Sequence, residues 1–90
     1  MVVDIDKTMN FESRVRDYCD CDVDYYDLRE HADDLESIRK ILHKIGIYTS
    51  HIMCYWLWMQ HSYDYSAGWL VIHEPEIIYE AESLLKKEEK

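Results

Sequence analysis

Carboxylates and thiols crowd one stretch of the chain, Asp17-Tyr18-Cys19-Asp20-Cys21-Asp22-Val23-Asp24-Tyr25-Tyr26-Asp27. Residues of these types can hold a cation, activate a nucleophile or meet a positively charged partner. Calcium is the first test. Asp20, Asp22 and Asp24 match positions 1, 3 and 5 of an EF-hand loop. The frame then fails: Tyr25 stands where the sharp turn needs glycine, and His31 where a bidentate glutamate is needed. Starting at Asp22 places Tyr26 at the fifth position and is no better. Zinc is the second test. Cys19-x-Cys21 has the wrong spacing for a paired-cysteine hook, and no second ligand pair follows. The five histidines (His31, His43, His51, His61, His73) are scattered and form no His-Glu-x-x-His pattern. They read as surface or boundary residues, and neither cofactor nor metal is expected.

Catalysis needs a nucleophile with a positioned base, or two groups whose surroundings split their pKa values. The chain has no Gly-rich phosphate loop, nucleophile elbow or metal-helix signature. A chain of this length also has little room for a deep pocket beside a core. The expectation is a protein that is not an enzyme.

The acid-aromatic stretch itself remains. Acidic groups recur at Asp17, Asp20, Asp22, Asp24, Asp27, Glu30, Asp33, Asp34 and Glu36. In extended chain, Asp20, Asp22 and Asp24 point to one side with a repeat of about 6.6 Å, a spacing on the scale of a nucleic-acid backbone. In a helix, Asp20, Asp24 and Asp27 share a face, as do Glu30, Asp33 and Asp34, and like charges at that spacing cost a few tenths of a kcal/mol per pair. Tyr25 and Tyr26 add amphipathic contact area of the kind enriched at interfaces. The eight acids from Asp17 to Asp34 and the two tyrosines form the expected partner-binding face. The plain alternative is a solvated face that keeps a small protein soluble.

The elements that must position this face are helices. Leu35, Ile38, Ile41, Leu42 and Ile45 form one apolar stripe at helical spacing. Gly46 and then Ile47 follow it, as a glycine C-cap with its hydrophobic contact requires. The start of this helix is open: Asp24 or Asp27 caps one helix of about 18 to 22 residues, or the chain breaks near Asp33-Asp34. A last helix has Pro75 in its first turn between Glu74 and Glu76, with a stripe of Ile77, Ile78, Ala81, Leu84 and Leu85. Lys86 and Lys87 suit its last turn. Residues 49–68 are read as a helix capped by Thr49 or Ser50, with Ile52, Tyr55, Trp56 and Met59 on one face and Gly68-Trp69 as a second stop. The alternative is α+β, with a hairpin of strands near 51–60 and 69–73 around Ser62–Ser66. Thr8 or Asn10 caps a short first helix containing Phe11, Val15 and Tyr18. The expectation is an all-α bundle of about four helices in a single domain over 1–90, with the Tyr/Trp cluster of residues 55–69 mainly in its core.

Composition bounds the function. The chain has 90 residues, 19 acidic and 10 basic, for a net charge of -9. Residues 1–36 hold 12 of the acids and 4 of the bases. That balance disfavours direct binding to nucleic acid, which needs a basic footprint, and to an anionic membrane. It suits a basic partner. The amino terminus lacks the pattern of a signal peptide, and the longest apolar run, Ile52 to Met59, is far short of the roughly 20 residues that span a bilayer. Three cysteines without a scaffold pattern read as reduced cytosolic thiols.

Trp58-x-x-x-Ser62-x-x-Tyr65-x-Ala67-Gly68-Trp69-Leu70 resembles a pattern in small proteins of tailed bacteriophages. Size, acidity and the missing catalytic motifs resemble phage anti-defence proteins, including anti-CRISPR proteins and DNA mimics. That class has no defining motif, so it transfers no site residue. Asp24-Tyr25-Tyr26 is similar to the acid-tyrosine surface of colicin immunity proteins, from which the rest of the chain departs. The resemblance implies an acidic inhibitor, acting in the host cytoplasm, that occupies the nucleic-acid channel of a basic host protein such as a CRISPR effector or another defence nuclease. The alternative is a structural or adaptor module, binding through its Trp/Tyr surface as a homodimer.

Overall fold

A computed structural model describes residues 3–19, 22–61 and 72–86. Five helices follow one another: α1 (Ile5–Cys19), α2 (Tyr25–Glu30), α3 (Ala32–Lys44), α4 (His51–His61) and α5 (Glu74–Lys86). The fold is an all-α bundle, and no strand occurs among the described residues. The strand expected near 51–60 in the hairpin alternative is helix α4. The Gly68-Trp69 stop, the 62–66 loop and the phage-like pattern from Ser62 onward lie outside the described residues.

Helix α4 organises the bundle. Ser50 begins it: the Ser50 hydroxyl accepts from Met53 N–H at 3.4 Å, and its carbonyl accepts from Cys54 N–H. Met53 through Leu57 and Trp58 are buried without a break. The expected single face of Ile52, Tyr55, Trp56 and Met59 is therefore replaced by burial around the whole girth, with Ile52 and Met59 half-buried. The reason is topological, since α4 packs against all four other helices. A helix surrounded on all sides is apolar all round. Tyr55, Trp56 and Trp58 belong to this core.

The stripes of α3 and α5 meet α4 as their spacing predicts. Leu35, Ile38, Ile41 and Leu42 are buried, with Ile45 packed at the edge. Ile77, Ala81 and Leu84 are buried on α5, flanked by Ile78 and Leu85. Phe11 and Val15 of α1 complete the core.

Gly46 ends α3 in the left-handed region at φ 92°. Its N–H donates to His43 carbonyl at 3.1 Å, and Ile47 N–H donates to Leu42 carbonyl at 3.0 Å. These two bonds are the paired closure of a Schellman motif, and Ile47 and Leu42 are both fully buried. A Cβ at this φ costs about 1–2 kcal/mol. Gly46→Ala is thus expected to lose about that much stability in urea unfolding, with an unchanged denaturant slope; an effect near zero would count against this cap.

Helix α1 begins a turn earlier than Thr8 or Asn10 would set it. Asp4 Oδ1 accepts from Lys7 N–H at 3.0 Å, so Asp4 is the cap. Thr8 serves a distant partner instead: its hydroxyl donates to Gly46 carbonyl at 3.4 Å and accepts from Tyr48 N–H at 3.2 Å. Lys7 Nζ donates to Ile45 carbonyl at 2.7 Å, Asp4 N–H to Gly46 carbonyl at 2.8 Å, and Thr49 hydroxyl to Glu12 Oε2 at 2.6 Å. The first turns of α1 are clasped to the α3–α4 corner, where the Lys7 ammonium also meets the negative end of α3.

One further correction concerns α2 and α3. They are not one long helix: the chain breaks at His31, near Asp33-Asp34 as the second reading had it. His31 divides them at φ -106°, ψ 24°, ending α2 with its N–H and beginning α3 with its carbonyl. A continuous helix would stack Asp27, Glu30, Asp33 and Asp34 at like-charge spacing. The break instead places Asp33 and Asp34 in a first turn, where the helix dipole favours them.

Candidate functional site

The acid-aromatic face is built on α2 and the chain just before and after it. Asp24 begins α2 by accepting two backbone bonds, from Tyr26 N–H at 3.0 Å and Asp27 N–H at 3.3 Å. It is thus a capping group as well as a surface charge. Helix α2 buries none of its residues; only Leu28 leans against the core. Tyr25 and Tyr26 are 62% and 67% exposed. Asp22, Asp24 and Glu30 are exposed around them, and Asp27 is half-buried. Asp33 is exposed on the first turn of α3, while Asp34 is half-buried with its carboxylate 3.7 Å from His31 Nδ1.

Eight of the ten expected residues are gathered here: Asp22, Asp24, Tyr25, Tyr26, Asp27, Glu30, Asp33 and Asp34. Asp17 is separate. It lies on α1, which does not pack against α2, and its carboxylate is 3.7 Å from Arg14 Nη1. Asp20 lies outside the described residues, as does Cys21. Between residues 22 and 34 six carboxylates face one guanidinium, Arg29. The neighbouring Glu30 carboxylate, one helical turn on, raises the Tyr26 phenol above its ordinary value. Tyr26, Arg29 and Glu30 line a shallow surface depression of about 100 Å³. It combines an aromatic wall with one carboxylate and one guanidinium.

A second polar cluster, which local patterns did not single out, ties α3 to α4. Glu36 receives Arg39 through both oxygens, from Nε at 2.9 Å and Nη2 at 2.6 Å. The same carboxylate meets His51 Nε2 at 2.7 Å. The Arg39 guanidinium lies 4.8 Å from the Tyr48 ring centroid, and Tyr48 meets His43 edge-on at 5.3 Å. Only the Glu36–Arg39 spacing was visible in the sequence; Tyr48 and His51 arrive through the Gly46 turn. The hydrogen bonds from Arg39 and then His51 hold the Glu36 carboxyl down at about 2, and the bonds to Glu36, with Tyr48 alongside, raise Arg39. The depressed Glu36 makes stability acid-sensitive. Above pH 4.5 both states are ionised at this site; between there and about 2 the unfolded chain binds a proton that the folded carboxylate does not. Stability at this site is therefore lost as pH falls through that window. Glu36→Gln is expected to shrink the difference between urea midpoints at pH 5 and pH 2.5; an undiminished difference would remove Glu36 from the account.

Cys54 is fully buried, and burial pushes its thiol up to about 12. A thiol held protonated is a poor nucleophile and a poor metal ligand. Among the described residues no three His, Cys, Asp or Glu side chains gather in a way that could hold a metal ion. No described helix is long and apolar enough to cross a membrane. Comparison with protein-family models, with curated protein sequences and with solved structures returns no match, so the functional reading rests on the chemistry of this face.

Proposed function

We propose that the protein is an acidic inhibitor that binds a basic, nucleic-acid-binding host protein, such as a CRISPR effector or another defence nuclease, and blocks it by presenting nucleic-acid-like charge. The supporting observation is α2 itself. A helix with no buried residue contributes little to the core, yet it holds two exposed tyrosines among Asp22, Asp24, Asp27 and Glu30. Stability alone gives little reason for such an element. Contact with a cationic surface gives one: the carboxylates replace phosphates and the tyrosines supply apolar contact area. On this reading the protein works without enzymatic activity, in the cytoplasm of the host cell, and does not itself bind nucleic acid. The adaptor or homodimer alternative cannot use Tyr55, Trp56 and Trp58, which are committed to the core; Tyr63, Tyr65 and Trp69 lie outside the described residues.

The test is competition. A basic nuclease or effector from the host is bound to labelled duplex DNA and titrated with the protein in a gel-shift assay. Displacement of the DNA is expected, weakening as salt is raised. Retention of the DNA at saturating protein across all candidate nucleases would sink the proposal.

A further inference from the structure

The depression beside α2 points to one kind of side chain. Tyr26 and Glu30 are one helical turn apart, so they share a flank of α2. The Tyr26 ring and the Glu30 carboxylate line the depression together. The chain uses the same pairing elsewhere: at Glu36 and Tyr48, Arg39 forks onto the carboxylate at 2.9 and 2.6 Å and lies 4.8 Å from the ring centroid. On α2 the carboxylate and ring stand together at the surface, and the neighbouring Arg29 makes no ion pair with a described residue. We propose that this depression seats one arginine of the partner, its guanidinium stacked on the Tyr26 ring and paired with Glu30. The inference rests on the inhibitor reading and narrows it to an arginine-bearing surface. A guanidinium fits better than an ammonium because it is planar, weakly hydrated and able to stack and fork at once. Arg29 flanks the seat and opposes the incoming charge, which makes it a residue that limits affinity.

Two probes separate the outcomes: hexa-arginine and hexa-lysine peptides, equal in charge, titrated into ¹⁵N-labelled protein at low salt. The arginine peptide should bind roughly fivefold tighter, with the largest shifts at residues 25–31. Tyr26→Ala should bring that ratio close to one, Glu30→Gln should weaken the arginine peptide, and Arg29→Gln should strengthen it. These side chains lie on a helix with no buried residues, so the variants should keep the wild-type circular dichroism spectrum. Equal affinities for the two peptides, a ratio unmoved by Tyr26→Ala, or shifts centred elsewhere would overturn the guanidinium seat. If both peptides bind equally at α2, the inhibitor reading survives and the seat does not. If neither binds, both fall.

Discussion

Leu57→Ala is expected to cost about 3 kcal/mol, the middle of the usual range for truncating a buried leucine. Leu57 is fully buried on α4, the helix that touches every other. The alanine would lose the transfer free energy of the missing atoms and leave a gap that four surrounding helices cannot all close. A 90-residue domain commonly has about 5–13 kcal/mol of total stability, so the loss is a large share of it. The urea midpoint should fall sharply, with the slope unchanged. Ile5→Ala is the matched control. Ile5 is 69% exposed, and its loss should stay within about 0.5 kcal/mol. A cost below about 1 kcal/mol at Leu57 would mean that α4 is not the centre of the core.

What could be read in advance follows from how local the deciding forces are. The α3 stripe and its Gly46 stop are set by neighbours within two turns, so spacing and one glycine were enough. The same holds for α5, where Pro75 and the flanking glutamates mark the start. The run at 52–59 is apolar on every side, so the face read from Ile52, Tyr55, Trp56 and Met59 said little, and the cap at Thr49 or Ser50 was the better sign of helix over strand. Long-range contacts defeated the rest. Thr8 looked like a cap, but its hydroxyl is taken by Gly46 and Tyr48, across the turn at the end of α3. His51 looked like an isolated histidine, and chain reversal at Gly46 brings it to Glu36. In the candidate site the charge density was legible, and so was Asp24 as one of two caps. A break near Asp33-Asp34 was one of two readings, and with no glycine or proline there nothing local fixed it at His31. Asp17 falls away from the site because it belongs to α1, a placement that only the packing of the helices decides.

The second large effect is expected in association with a basic partner. Replacing Asp22, Glu30 and Asp33 by lysine turns three exposed carboxylates beside the tyrosines into cations. Asp24 is left alone because its loss would also uncap α2. If this face meets the partner, the association rate should fall roughly 10- to 100-fold at low salt, the scale of electrostatic steering. Dissociation should change less, because exposed charges act mainly on encounter. Raising ionic strength from about 0.1 M to 1 M shortens the screening length from about 10 Å to 3 Å, and the variant and wild type should then converge. Net charge alone would also slow the variant, so the comparison needs a twin. Lysines at Asp6, Asp17 and Glu82 change the net charge by the same amount from exposed positions on α1 and α5. The twin should retain most of the wild-type rate. Stopped-flow measurements at two salt concentrations distinguish the cases. Equal slowing by both triple variants would assign the attraction to the overall charge of the molecule, and α2 would lose its claim to be the face that binds.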